Sequence, residues 1–159
     1  MAFTVFISHK TEDSRAATAV AARLKMNQIE VYLDSFDPDA KDGPALCDYL
    51  RDRMKNCHGL MAVVTGKTIM SWWVPWEIGV ATERDMPMAT FSYDHTAVPS
   101  YLRKWPYLTQ LAEIDQYAQT ARRLVQERRT LVEKREVYGV PEAISGRRFD
   151  RVLKATLGQ

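Results

Sequence analysis

The chain has 159 residues, of which 46% are hydrophobic and 26% charged, and this is the composition of one compact soluble domain. Its 22 Lys and Arg against 20 Asp and Glu give a formal net charge of +2, which argues against a dedicated nucleic-acid-binding protein, because such proteins neutralise many phosphates. No apolar run reaches the roughly 20 residues that span a bilayer, and the amino-terminal apolar stretch is too short for a signal peptide. We therefore expect no membrane association and a cytoplasmic location.

Short apolar runs alternate with amphipathic segments along the first two-thirds of the chain. Runs rich in β-branched and aromatic residues predict strands, and apolar residues at helical spacing predict helices. The predicted strands are residues 3–8, 30–33, 60–64, 86–91 and an edge strand at 107–114. Helices are predicted after Ser14, after Pro44, from near residues 72–74, and over 117–137 and 149–157. This alternation predicts a parallel sheet with helices on both faces, which binds ligands at the carboxyl ends of its strands.

Several common enzyme signatures are absent from the sequence. It contains no Gly-rich phosphate loop and no GxSxG nucleophile elbow. A phospho-receiver domain would need acidic residues after the first strand and at the end of the third, where Ser8, His9 and Thr65 stand instead. The three histidines and two cysteines do not have the spacing of metal ligands, so we expect no metal site.

Glu77 is the unusual residue of the predicted third helix. Its neighbours three and four positions away are Trp73, Val74, Val80 and Ala81, so its carboxylate lies along an apolar stripe. A carboxylate buried without a partner is costly. Periodicity alone leaves two interpretations open, a functional acid or an ordinary helix glutamate that is exposed or paired with a basic residue.

Three motifs, in order along the chain, resemble those of TIR (Toll/interleukin-1 receptor) domains. Residues 6–15 read FISHKTEDSR and resemble the opening of that family, in which FIS is followed by EDxR. Residues 31–34, VYLD, resemble its second strand, and the stretch up to Gly43 resembles its BB loop. Residues 71–77, SWWVPWE, contain the signature SxWxxxE, whose marked residues are Trp73 and Glu77. The resemblance extends over roughly residues 3–115, and small standalone TIR proteins of this kind resemble those of bacterial antiviral systems such as Thoeris.

The resemblance implies a flavodoxin-like, three-layer α/β domain with a central parallel sheet of about five strands. Residues 1–116 would form this TIR core, and residues 117–159 a C-terminal helical extension packed on or beside it. For enzymatic members it implies cleavage of the nicotinamide–ribose bond of NAD(+), to nicotinamide and ADP-ribose or a cyclic ADP-ribose isomer. NAD(+) is then a substrate, and no cofactor is expected.

The resemblance also assigns roles to individual residues. Glu77 matches the catalytic glutamate of the family, which would stabilise the oxocarbenium-like ribosyl centre. Six other residues match positions that border the substrate pocket: Ser8, His9, Lys10, Asp34, Phe36 and Trp73. The family further implies homo-oligomers formed through the BB loop, residues 35–43, on activation, and a separate effector protein that responds to the nucleotide product.

Two alternative functions stay open at this point. One is a TIR interaction module without catalysis, in which Glu77 is structural. The other is an enzyme similar to nucleoside deoxyribosyltransferases, which share the fold class and a glycosyl-transferring glutamate but should lack the FIS and EDxR opening.

Charge is distributed unevenly along the chain. Up to residue 116 there are 12 Lys and Arg against 15 Asp and Glu, and from residue 117 there are 10 against 5. The BB loop contributes Asp37, Asp39 and Asp42 to the acidic part. We expect the basic tail to complement this acidic loop, within one chain or between copies, in an assembly that weakens with salt.

Overall fold

The structure is a computed structural model that describes residues 2–33, 44–66, 73–93, 98–133 and 144–159. The strands in these ranges are β1 (Thr4–Ser8), β2 (Glu30–Leu33), β3 (Gly59–Val64), β4 (Met88–Ser92) and β5 (Tyr107–Leu108). The α-helices are α1 (Ser14–Met26), α2 (Pro44–Lys55), α3 (Trp73–Glu83), α4 (Leu111–Glu133) and α5 (Gly146–Leu157). Two 3-10 turns, Thr11–Asp13 and Ser100–Lys104, complete the described elements.

The five strands form one parallel sheet in the order β2-β1-β3-β4-β5. This is the strand order of doubly wound, flavodoxin-like folds, so the predicted fold class is confirmed. Every residue of β3 is buried, as expected for a central strand covered by helices on both faces.

Side chains alternate between the two faces of the sheet and build two separate cores. Val5, Ile7 and Met61 face the layer that contains α1, α4 and α5. Phe6 and Leu60 face the opposite layer, which contains α2 and α3. The fold therefore has three layers. Alternate residues along a strand pack against helices on opposite faces of the sheet.

The predicted edge strand at 107–114 is wrong in its second half. β5 ends at Leu108, and α4 begins at Leu111, six residues before the predicted helix start. The Glu113 carboxylate accepts hydrogen bonds from the backbone amides of Thr109 and Gln110, at 2.6 and 2.9 Å, and so stabilises the first turn of α4. Ile114, which the prediction placed in the strand, is a fully buried residue of α4.

The division between a 1–116 core and a 117–159 extension stays a prediction. In the structure α4 runs continuously through residue 116. Tyr117 on α4 and Phe149 on α5 are fully buried, with ring centroids 5.0 Å apart in an edge-to-face arrangement. Within the described ranges, no helix is both long and apolar enough to cross a membrane.

Candidate active site

Ser8 and Glu77 meet at the carboxyl edge of the sheet. Ser8 is the last residue of β1, and its side chain shares the face of Phe6, toward α3. Glu77 lies in the second turn of α3. The Ser8 hydroxyl donates a hydrogen bond to Oε2 of Glu77, and the two residues are only 1% and 2% exposed. The structure therefore brings together two of the residues that the sequence singled out.

Three described neighbours of Glu77 on α3 are apolar. Val74, Ile78 and Ala81 of the same helix are all buried in the layer between α3 and the sheet. The interpretation of Glu77 as an exposed helix glutamate is therefore wrong. In such a layer a charge interacts more strongly with a nearby opposite charge than it would in water.

His9 and Lys10 lie on the connection that leaves Ser8, at the same edge of the sheet. The Nδ1 atom of His9 is 3.4 Å from the carbonyl oxygen of Ile7. The ammonium group of Lys10 is 3.8 Å from Oε1 of Glu12 in the adjoining 3-10 turn. Both side chains are partly exposed, which suits residues that contact a ligand entering from solvent.

Three other predicted site residues cannot be placed in this geometry. Asp34 and Phe36 lie outside the described residues, as does the whole of loop 35–43. Trp73 begins α3, but its side chain lies outside the described part of the chain. Their roles therefore stay predictions.

Asp13 and Thr65 form a second buried pair at this edge, which the sequence analysis did not assign to the site. Oγ1 of Thr65 donates a hydrogen bond of 2.8 Å to Oδ1 of Asp13, and the two residues are 8% and 5% exposed. Asp13 belongs to the FISHKTEDSR motif, and Thr65 directly follows the predicted strand at 60–64. Their pairing depends on tertiary structure, because 52 positions separate them.

Tyr93 is an aromatic residue at the same edge that the sequence also left unassigned. It directly follows β4, is 42% exposed, and donates its backbone amide to the carbonyl oxygen of Val64 at 3.3 Å. Its position after an apolar strand was the available signal. An exposed ring at the ligand-binding edge offers a surface on which a planar base can stack.

The opposite, amino-terminal edge of the sheet carries a groove of about 890 Å³, lined in part by Lys55, Cys57, His58 and Arg84. Burial raises the pKa of the Cys57 thiol to about 11, so this group stays protonated at neutral pH and is a poor nucleophile. Burial also lowers the pKa of His58, whose Nδ1 accepts the backbone amide of Thr4 at 3.0 Å. Cys57 and His58 therefore do not suggest a nucleophilic site in this groove. Among the described residues, no cluster of three or more His, Cys, Asp or Glu could hold a metal ion.

Comparison with known proteins agrees with this class of fold, a doubly wound α/β domain. The family model described as "TIR domain" matches residues 5–127. The chain therefore belongs to the TIR domain family, and the resemblance to nucleoside deoxyribosyltransferases is set aside.

A curated relative from Bacillus cereus (strain MSX-D12) is named "Probable 3' cyclic ADP-D-ribose synthase ThsB'". It is 25% identical over 118 residues, which cover 68% of this chain and 61% of the relative. The match thus spans less than two-thirds of that protein's length.

Two solved structures have low similarity to the chain. The TIR domains of the activated Roq1 resistosome, which recognises the pathogen effector XopQ, give a TM-score of 0.46 at 18% identity, covering 99% of this chain and 84% of that one. The glutaminase domain of Trypanosoma brucei CTPS with bound acivicin gives 0.38 at 15% identity, covering 57% and 36%. Both scores are below 0.5, so the family assignment rests on the sequence match.

Proposed function

We propose that this protein is a TIR enzyme that consumes NAD(+), cleaving the nicotinamide–ribose bond to give nicotinamide and ADP-ribose or a cyclic ADP-ribose isomer. The observation that carries the proposal is the Glu77 carboxylate, buried at the carboxyl edge of the sheet and hydrogen-bonded by Ser8. The name of the Bacillus relative, a cyclic ADP-D-ribose synthase, supports the same class of chemistry.

One carboxylate suits this reaction. Nicotinamide leaves as a neutral molecule from a cationic ring, so the C1′–N bond can break, with its electron pair going to nitrogen, without a general acid. Positive charge then develops on the ribosyl centre, and a fixed carboxylate in an apolar layer stabilises it. In hydrolysis a water oxygen bonds to C1′ and releases a proton to solvent. In cyclisation a nucleophilic atom of the same ADP-ribosyl group takes the place of water.

The other residues at this edge have supporting roles in the proposal. Ser8 holds the Glu77 carboxylate in one orientation, which favours a productive approach of the ribose. His9 and Lys10 border the pocket from the connection after β1, and Lys10 supplies positive charge for the pyrophosphate. Asp34, Phe36 and Trp73 complete the pocket by their family positions. NAD(+) is the substrate in this scheme, and no cofactor takes part.

Activation by assembly belongs to the same proposal. Copies associate through the loop at residues 35–43, and the nucleotide product acts on a separate effector protein in cytoplasmic antiviral immunity. The family and the naming of the relative as a ThsB' protein support this part. It requires that specific activity rise with protein concentration and that this rise weaken in salt. A specific activity independent of concentration contradicts it.

The deciding experiment incubates concentrated protein with NAD(+) and a crowding agent and measures free nicotinamide by chromatography. Glu77→Gln keeps the size of the side chain but removes its charge, so we expect at least a hundredfold loss of rate. Glu83→Gln makes the same change on the exposed end of α3 and should retain the wild-type rate. If wild type and Glu77→Gln release nicotinamide equally slowly, the protein is better described as a non-catalytic TIR interaction module. Chromatography of the second product separates hydrolysis from cyclisation.

A further inference from the structure

Two hydroxyl–carboxylate pairs cross each other at the carboxyl edge of the sheet. Ser8 ends β1 and donates to Glu77, which lies on the helix that follows β3. Thr65 follows β3 and donates to Asp13, which lies on the turn that follows β1. Each strand end is therefore hydrogen-bonded to the segment that leaves the other strand.

We propose that Asp13 and Thr65 are positioning residues for Glu77, a role that rests on the proposed NAD(+) cleavage. The pair fixes the connection after β1, which carries His9 and Lys10, against the end of β3. The Ser8–Glu77 pair fixes α3 against the end of β1. Together the two bonds hold Glu77 and the residues opposite it in one relative position.

The local geometry of Asp13 supports this role. Asp13 occupies the N-cap position of α1, where an aspartate side chain ordinarily accepts a backbone amide of the first turn and so stabilises the helix. Here its side chain makes no capping hydrogen bond to α1. It is buried and accepts the Thr65 hydroxyl instead. The Asp13 side chain thus bonds to the segment that follows β3 and not to the first turn of its own helix.

Strand register explains why one pair cannot replace the other. Ser8 pairs with Ala62, so β3 continues past the end of β1 before it reaches Thr65. Ser8 follows the parity of Phe6, toward α3, whereas Asp13 is the N-cap residue of α1, the helix on the other face of the sheet. The two pairs therefore restrain different helices, the first linking α3 to the end of β1 and the second linking the start of α1 to the segment after β3.

The kinetic test compares two substitutions of Thr65. Thr65→Val keeps the shape but removes the hydroxyl, and we expect kcat for nicotinamide release to fall by about tenfold to a hundredfold with a smaller change in KM. Thr65→Ser restores the hydroxyl and should recover most of kcat. Thr82→Val is the matched control, because the Thr82 hydroxyl donates to the Ile78 carbonyl oxygen of its own helix, at 2.6 Å, and links no second element to the site. Asp13→Asn, which keeps an oxygen acceptor, should lose less than Asp13→Ala.

A purely structural pair would give a different result. In that case Thr65→Val lowers the melting temperature, but kcat measured well below that temperature equals the wild-type value. That outcome overturns the inference while nicotinamide release by wild type, abolished in Glu77→Gln, leaves the proposed function intact.

A spectroscopic test does not depend on activity. Glutamate carboxyl groups are labelled with carbon-13, and the Glu77 signal is assigned by its loss in Glu77→Gln. We expect Thr65→Val to displace this signal and Thr65→Ser and Thr82→Val to leave it in place. An unmoved Glu77 signal in Thr65→Val overturns the inference. A displaced signal in a protein that releases no nicotinamide supports the coupling and rejects the proposed function.

Discussion

The hydroxyl of Ser8 donates a hydrogen bond to the carboxylate of Glu77 across 69 positions of the chain, and neither residue is more than 2% exposed. A hydrogen bond to a charged group is worth more than one between neutral groups, and its loss in a buried site costs the desolvation of the group left behind. This bond is therefore a structural link between β1 and α3 and also a means of orienting the carboxylate.

Ser8→Ala should lower both stability and activity. Removing the hydroxyl takes a partner from a buried carboxylate, so we expect the free energy of unfolding to fall by about 1–3 kcal/mol in chemical denaturation. Ser14→Ala removes an exposed hydroxyl bonded to the Thr11 carbonyl and should change it by less than about 0.5 kcal/mol. A double-mutant cycle with Glu77→Ala, which removes the acceptor, measures the coupling of the pair, and strictly additive effects would contradict a direct interaction.

Glu77→Gln should raise the melting temperature while it abolishes the proposed reaction. The amide oxygen still accepts the Ser8 hydroxyl, but the variant no longer buries a charge in the apolar layer of Val74 and Ile78. A variant that is more stable but inactive is the result expected when the replaced residue serves catalysis at the expense of stability. A clear fall in melting temperature, with Glu83→Gln unchanged, would instead assign Glu77 a structural role.

The sequence was sufficient for the parts of the fold that depend on local pattern. Apolar runs located the central strands, and the third helix was predicted to start near residues 72–74, where Pro75 would fall in its first turn, and α3 begins at Trp73. The family motifs likewise singled out Ser8 and Glu77 as site residues, but their hydrogen bond across 69 positions was not predicted. The elements follow from patterns within a few residues, whereas this bond depends on tertiary structure.

What the sequence did not predict depends on contacts between distant segments. Asp13 stands in the FISHKTEDSR motif with no assigned partner, and only the pairing of β1 with β3 brings it to Thr65. The predicted edge strand was too long because the apolar residues within 109–114 are compatible with either a strand or a helix. The Glu113 carboxylate, which caps α4, decides between them.

Two glycine-to-alanine substitutions should have opposite effects on stability. A Cβ at Gly146 would lie 2.5 Å from the Met86 carbonyl oxygen and 2.8 Å from that of Asp85, both backbone atoms that cannot easily move. We expect Gly146→Ala to destabilise the protein by about 1–3 kcal/mol. A Cβ at Gly79 meets nothing within 4 Å, so Gly79→Ala in α3 should stabilise by about 0.5–1 kcal/mol. Thermal unfolding measures both, and equal shifts would contradict the close packing of α5 on the α3–β4 turn.

Asp150 on α5 should make stability fall as pH rises. Burial, helped by the nearby Asp85, raises the pKa of its carboxyl to about 7, although the Met88 backbone hydrogen bond, Lys154 and Lys104 act in the opposite direction. The unfolded chain loses this proton near pH 3.8, whereas the folded protein keeps it to about pH 7. Folding therefore takes up a proton between these values, and the stabilisation is lost as pH rises through 7.

Asp150→Asn removes this titration and should raise the melting temperature more at pH 8 than at pH 5. Asp115→Asn is the control, because the pKa of Asp115 is lowered in the folded protein and its effect on stability has the opposite dependence on pH. The side-chain hydrogen bonds from Arg23, 2.7 and 2.5 Å long, lower the pKa of Asp115, so its contribution is present above pH 3.8 and lost as pH falls through its lower folded value. Asp115→Asn should therefore destabilise the protein at pH 7 and progressively less in acid. Parallel pH profiles for the two variants would contradict the opposite environments that the structure gives these carboxyl groups.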